Sequence, residues 1–326
     1  MRVLVTGAAG FTGGCLARHL AARGHLVRAL VRDRTRAEPL AGDGIELAAG
    51  DLTDPASVAS AVRDVSIVYN VAALYREAGL PDETYFNVNA RAVAVLIAAA
   101  ADAGVPRVVH CSTVGVHGDV GTAAAGEEAP FAPGDVYQRS KVEGERLARE
   151  AEQQYGVDVV IARPTGIYGP GDRRLLKLFR GVARRRFAYL GSGQISYHLT
   201  YVEDVAEGLR LCGEVPQAAG RTYIIGGPDT PTLTDIVREI AAAEGVPPPG
   251  LHLPVWPVWI AGAVCEAICR PFGVEPPLYR RRVDFFTKSR AFDISRARRE
   301  LGFAPSVDLK EGVRRSVAWY REHGWL

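Results

Sequence analysis

A phenol and an ammonium four residues apart are the side chains in this sequence best suited to proton chemistry. They are Tyr137 and Lys141 in the run Tyr137-Gln138-Arg139-Ser140-Lys141. On a helix, that spacing puts both on one face. A free tyrosine titrates near pH ~10, and a neighbouring positive charge favours its phenolate. Lys141 is therefore expected to draw Tyr137 toward the range where a phenol serves as general acid or base. Thr113 closes the apolar strand-like run Val108–Ser112 and can hydrogen-bond a substrate oxygen, orienting it toward Tyr137.

Proton transfer of this kind needs an electron carrier, and the start of the chain offers a seat for one. Arg2–Thr6 reads as a buried strand, followed by Thr6-Gly7-Ala8-Ala9-Gly10-Phe11-Thr12-Gly13. An amphipathic run from Gly14 to Arg23 stops at Gly24-His25, and Leu26–Val31 reads as the next strand. Strand, glycine turn, helix and strand within about 30 residues is the context of a dinucleotide pyrophosphate site. Gly7 permits the sharp turn, Gly10 lets backbone N–H groups approach phosphate, and Gly13 lets helix and sheet pack closely. The helix N-terminus adds donors and partial positive charge. Gly7, Gly10, Phe11, Thr12 and Gly13 are thus the candidate phosphate contacts.

The end of the second strand bears on the choice of cofactor. NAD sites tend to carry a carboxylate there for the ribose hydroxyls. Here Val31 is followed by Arg32, Asp33, Arg34 and Arg36, and a guanidinium suits a ribose 2′-phosphate. NADP is favoured, with Arg32 its foremost contact; NAD is possible if Asp33 takes the ribose role and the arginines are solvated.

Further motifs extend along the chain: Gly50-Asp51-Leu52-Thr53-Asp54, Asn70-Val71-Ala72-Ala73, Asn87-Val88-Asn89, Cys111-Ser112-Thr113, Arg163-Pro164-Thr165-Gly166-Ile167-Tyr168-Gly169-Pro170 and Tyr201-Val202-Glu203-Asp204-Val205-Ala206. With the glycine turn and Tyr137 to Lys141, their order resembles the extended short-chain dehydrogenase/reductase family over nearly the whole length. The resemblance implies that Asp51 and Leu52 meet the adenine, that Val71, Ala72 and Ala73 line the cofactor near the ribose, and that Pro164 lies near the nicotinamide carboxamide. It makes Thr113, Tyr137 and Lys141 the catalytic set, supported by Asn89. Read without the family, Asp51 and Asn89 suit capping residues equally well.

Departures from the family patterns narrow the chemistry. Sugar dehydratases of the family usually place Asp-Glu after the threonine; Val114-Gly115 stand there, and the glutamate favoured by the decarboxylases is also missing. Nucleotide-sugar epimerases usually carry an arginine before the Tyr201 segment, where Ser196-Tyr197-His198-Leu199 stand. The sequence therefore looks more like the 3β-hydroxysteroid dehydrogenase and dihydroflavonol reductase branch. The leading expectation is an NADP-dependent oxidoreductase acting on a secondary alcohol or ketone. The alternatives are a nucleotide-sugar 4-epimerase with tightly bound NAD and a non-catalytic dinucleotide sensor.

Composition excludes other classes. The chain has 326 residues, 48% hydrophobic, with a formal net charge of +2, so bulk charge points to no nucleic acid. Five scattered cysteines suggest neither a metal site nor a disulfide framework. The first strand begins at Arg2, which suggests no signal peptide and a cytoplasmic location. Val255–Cys269 is strongly apolar but too short to span a bilayer; it reads as an ordinary packed helix, or as a pocket wall, dimer contact or membrane-surface element.

Strands at 2–6, 26–31, 45–48, 66–71, 107–112 and 158–162 alternate with helical runs, notably 88–103 and 137–154. Such alternation predicts an α/β, Rossmann-like doubly wound parallel sheet. Residues 1–169, with 200–219 returning, form the dinucleotide domain; 170–199 and 220–310 form a smaller discontinuous substrate lobe; 311–326 is a C-terminal helix. Gly118–Pro133 reads as a mobile loop. Arg173–Phe187 reads as a basic helix, and its arginines, like Arg280–Arg282, as mostly solvated. A small-molecule substrate and a homodimer through helices 88–103 and 137–154 are expected.

Overall fold

The computed structural model describes residues 1–326 apart from Asp43, Ala78, Thr122 and 270–282; Arg280–Arg282 lie outside the described residues. Its strands are β1 (Arg2–Thr6), β2 (Leu26–Val31), β3 (Ile45–Ala49), β4 (Ile67–Asn70), β5 (Arg107–Cys111), β6 (Asp158–Pro164), β7 (Gly166–Tyr168), β8 (Tyr189–Leu190), β9 (Leu199–Tyr201), β10 (Thr222–Ile225) and β11 (His252–Leu253). Its helices are α1 (Phe11–Ala21), α2 (Arg34–Ala37), α3 (Pro55–Ala61), α4 (Asp82–Phe86), α5 (Ala92–Asp102), α6 (Val136–Tyr155), α7 (Leu176–Ala183), α8 (Val202–Glu214), α9 (Leu233–Glu244), α10 (Val255–Cys269), α11 (Asp284–Thr287), α12 (Ser295–Leu301) and α13 (Leu309–Glu322).

Seven strands form one parallel sheet in the order β10-β6-β5-β4-β1-β2-β3. Successive side chains on a strand face opposite sides. On β1, Val3 and Val5 join a core with Leu16 and Leu20 of α1 and Val205 and Leu209 of α8. Leu4 joins the other, with Val58 of α3, Leu96 and Ile97 of α5 and Ala148 of α6. Each fully buried Leu or Val of this kind contributes about 1.5–3 kcal/mol, which fixes both helical layers to the sheet. Strand order reverses between β1 and β4, where Thr6 pairs with Asn70. A crevice at the carboxyl ends of the strands opens at such a switch point.

A third cluster, including Phe179 and Val182 of α7, Ile236 and Ile240 of α9, and Val313 and Val317 of α13, forms the core of the smaller lobe. Several sequence-based boundaries move. Thr222–Ile225, assigned above to the substrate lobe, is the seventh strand of the main sheet and pairs with β6. Its all-buried Tyr223, Ile224 and Ile225 need the sheet to cover them. Residues 199–201 do not rejoin that sheet; β9 pairs with β7 in a separate two-stranded one. The basic run is helical only over Leu176–Ala183.

Gly118–Pro133 is anchored rather than loose: Glu127 is buried and accepts the Ile224 N–H at 2.9 Å. Residues 82–102 form one continuous helix, interrupted by a π turn at Asn87–Arg91. By length and composition it is apolar enough to cross a bilayer, but its inner face packs on α3 and α6. The ordinary-packing reading of 255–269 does not hold, since Gly262 is the single buried residue of α10. Trp256 is 67% exposed and Ile268 60%.

Candidate active site

The glycine turn follows from backbone crowding. Gly7 has φ +68°, and a Cβ there would lie 2.7 Å from the Cα of Ala72. A Cβ on Gly13 would collide with the Gly7 carbonyl. The turn closes through Gly10 N–H donating to that carbonyl at 2.9 Å. Helix α1 then opens at Phe11, Thr12 and Gly13 with no side-chain cap and no acidic residue in its first turn. The first N–H groups of a helix have no partner within it. Uncapped donors behind a crevice that no side chain can fill fit a nucleotide diphosphate.

A polar chain ties the turn to the neighbouring strand ends. Thr6 Oγ1 donates to Asn70 Oδ1 at 2.7 Å and accepts the Ala72 N–H at 3.1 Å. Asn70 Nδ2 lies 3.2 Å from His110 Nδ1. His110 is fully buried, and desolvation pushes it well below the ordinary histidine range, so it is a neutral acceptor here. Val71 and Ala72 are half-buried beside the turn and Ala73 is exposed. Leu52 is buried in the core, whereas Asp51 folds its carboxylate back onto the Thr53 N–H and hydroxyl, both at 2.8 Å.

At the end of β2, Asp33 caps α2 through the Arg36 N–H at 3.1 Å. Asp33 is therefore occupied in a turn. Arg32, Arg34 and Arg36 are exposed, and among the described residues their guanidinium groups make no hydrogen bond or ion pair.

The phenol and ammonium meet the site from α6, whose N-cap is Asp135. Tyr137 is 8% exposed and Lys141 1%. Lys141 Nζ donates to the Cys111 carbonyl at 2.7 Å, tying α6 to the end of β5. Asn89, in the π turn, donates to Ser140 Oγ at 2.9 Å and to the Leu74 carbonyl at 3.0 Å, and accepts the Leu74 N–H at 2.8 Å. It thus fixes the loop after β4 against the turn of α6 between Tyr137 and Lys141. Thr113 begins a short 3₁₀ turn and accepts the Gly115 N–H at 3.0 Å. Pro164 ends β6, buried and paired with Ile225.

A buried ion pair locks this assembly. Arg163 of β6 grips Glu145 of α6 at 3.0 and 2.6 Å, and also reaches His117 Nε2 at 3.1 Å and the Glu127 carbonyl at 2.7 Å.

The electrostatics differ from the sequence expectation. Burial is the largest influence on Tyr137 and pushes its phenol above the usual tyrosine range; Tyr75 acts the same way. The cations that chiefly oppose this are Arg76 and Arg174. Lys141 is itself lowered by burial. The phenol of the protein alone is a held proton donor, because desolvation outweighs the nearby charges.

Sequence reasoning missed the residues around that phenol. Tyr75 meets Tyr137 edge-to-face at 4.9 Å between ring centres. The Arg76 guanidinium lies 5.9 Å from the Tyr137 ring, and that of Arg174 lies 5.8 Å from Tyr75 and 5.4 Å from Phe11. Arg174 belongs to the basic run taken as solvated; the signal that sets it apart is Asp172, which is 1% exposed and binds Arg174 Nε at 2.7 Å. Among the described residues, no group of three or more potential metal ligands occurs.

Comparison with known proteins places this geometry. The family model described as NAD dependent epimerase/dehydratase family matches residues 3–226. A putative dihydroflavonol 4-reductase of Synechocystis sp. is 30% identical over 333 residues, covering 99% of this chain and 95% of that protein. A 2-alkyl-3-oxoalkanoate reductase of Stenotrophomonas maltophilia is 31% identical, covering 98% and 99%. The crystal structure of gox2253 superposes with a TM-score of 0.84 at 32% identity, covering 99% of each chain. The chain belongs to the NAD dependent epimerase/dehydratase family.

Proposed function

We propose that this protein is an NADP-dependent oxidoreductase that interconverts a secondary alcohol and a ketone at Tyr137. The observation that supports the reading is the buried Tyr137 phenol packed on Tyr75, which shares the Arg174 guanidinium with Phe11 at the uncapped start of α1. Bound there, a nicotinamide dinucleotide supplies or accepts the hydride.

The chain's own residues do the rest. The N–H groups of Phe11, Thr12 and Gly13 hold the diphosphate, and Arg32, with Arg34 or Arg36, holds the 2′-phosphate. Their guanidiniums, without a partner among the described residues, favour NADP, since Asp33 is spent on its turn. Thr113 hydrogen-bonds the substrate oxygen, and Tyr137 donates its proton to that oxygen during reduction. Lys141, pinned to the Cys111 carbonyl, fixes the helix face and adds positive charge; Asn89 fixes the same helix from the other side. The names of the reductase relatives agree with this direction of chemistry. Assembly is proposed as a homodimer through the outward faces of α5 and α6, checked by sedimentation.

The pH profile follows from the phenol. Because burial raises its pKa, the proton-donating form persists through neutral and mildly alkaline pH. Ketone reduction should stay flat from about pH 6 to pH 9, while alcohol oxidation, which needs the phenolate, should rise with pH. The test is nicotinamide absorbance with a panel of ketones and, separately, UDP-sugars. Net consumption of NADPH with a ketone supports the reading. Epimerised sugar without net cofactor change supports the 4-epimerase instead, and no turnover with bound nucleotide supports a sensor.

A further inference from the structure

We infer that Arg174, with Arg76 beside it, binds an anionic oxygen group of the substrate, a carboxylate or phosphate carried close to the carbon whose oxygen Tyr137 serves. The inference rests on the alcohol/ketone reading and names its substrate class.

Both guanidiniums are set in place by carboxylates that are already engaged. Asp172 accepts the Arg174 N–H at 3.0 Å and the Leu175 N–H at 3.3 Å besides Arg174 Nε, and the hydroxyl of Tyr320 holds the Asp172 carbonyl at 2.6 Å. Arg174 Nη2 donates to the Ile167 carbonyl at 2.8 Å. A guanidinium has five N–H donors, and among the described residues Nη1 of Arg174 bonds to nothing. Arg76 is arranged alike: Nη2 meets Asp135 at 3.1 Å and Nη1 meets the Tyr75 hydroxyl at 3.1 Å, leaving donors over. Asp135 is also tied down, because it caps α6 through the Gln138 N–H at 2.7 Å.

The two cations approach the tyrosine pair from separate segments, one after β4 and one after β7. A guanidinium with free donors in a fixed orientation is the side chain suited to a planar carboxylate or a phosphate. The start of α1 and the arginines after β2 already account for the cofactor's phosphates. Arg174 lies near Phe11, however, so the cofactor is the competing source of the anion, and the test must separate the two.

Calorimetry on the full-length protein saturated with NADPH reads the site without turnover, because a hydroxy probe cannot accept hydride; turnover is assayed separately with NADP. The probes are 3-hydroxyoctanoate and its methyl ester, which differ in charge at one end. The acid should bind at least about 10-fold more tightly than the ester, as expected for a charge-assisted pair. Arg174→Gln should bring the ratio to about one with NADP affinity changed less than about 2-fold. Arg174→Lys keeps a cation for Asp172 and should recover part of the preference, and the wild-type ratio itself needs no variant to fold.

Equal binding of acid and ester by the wild type would overturn the inference, as would an Arg174→Gln defect confined to NADP. Equal binding together with turnover of both probes would leave the oxidoreductase reading standing and remove only the anion site. Arg174-dependent binding of the acid with no turnover of either probe would do the reverse.

Discussion

On the glycine-turn wall the decisive contacts are backbone against backbone; on the wall around the Tyr137 phenol they are side chain against side chain. Gly7 and Gly13 are required because a single added carbon would strike the Ala72 Cα or the Gly7 carbonyl. Tyr75, Arg76 and Arg174 instead converge from two loops, held by Asp135, Asp172 and aromatic edges. The first wall has no room for a larger residue at Gly7 or Gly13, whereas Tyr75, Arg76 and Arg174 on the second are exposed side chains outside the main sheet. A fold of this kind can therefore keep one carrier and exchange substrates.

That contrast can be broken or sharpened by substitution. Tyr137→Phe should carry the largest effect, lowering turnover about 10²–10⁴-fold while leaving nucleotide affinity intact. Activity comparable with wild type in steady-state assays would remove Tyr137 from the chemistry. Gly13→Val should come next, weakening nucleotide binding by at least about 100-fold, since a helix start pushed off the sheet no longer presents its N–H groups. Nucleotide titration by fluorescence checks it, and near-normal affinity would mean that the turn is not the seat.

Removing Arg32 and Arg34 together by alanine should raise the Kd for NADP about 10-fold, near 1.4 kcal/mol, and leave NAD unchanged. An equal loss for both nucleotides would deny the 2′-phosphate role. The smallest effect should come from Glu207, far from either wall. Hydrogen bonds from Arg210, chiefly, and from His19 hold its carboxyl near a pKa of about 2. A depressed carboxylate pKa stabilises above the unfolded-state value, and the gain is lost as pH falls toward 2. The pair is partly solvated, so Glu207→Gln should cost less than about 1 kcal/mol at pH 7 in thermal melts, and progressively less as pH falls toward 2.

What could be read in the sequence follows the same division. The glycine turn, the strand alternation and the spacing from Tyr137 to Lys141 are local patterns, so residue types alone located them. Arg174 was hidden because it is exposed like its neighbours in the basic run, and only its bond to the buried Asp172 sets it apart. Tyr75 gave no signal, since its meeting with Tyr137 depends on the path of the loop after β4. The direction of the Tyr137 shift was misjudged because desolvation is a property of packing, not of spacing. Thr222–Ile225 was placed in the wrong lobe because a short strand after a long helix does not reveal which sheet edge it completes.

Nucleotide and substrate are expected to meet at the Tyr137 phenol. A crystal structure of the NADP complex tests it most directly. The diphosphate should lie on the N–H groups of Phe11 and Thr12, with the nicotinamide ring beside the Tyr137 hydroxyl. Nucleotide bound elsewhere, or a ring turned away with Tyr137 out of reach of anything stacked on it, would contradict the account.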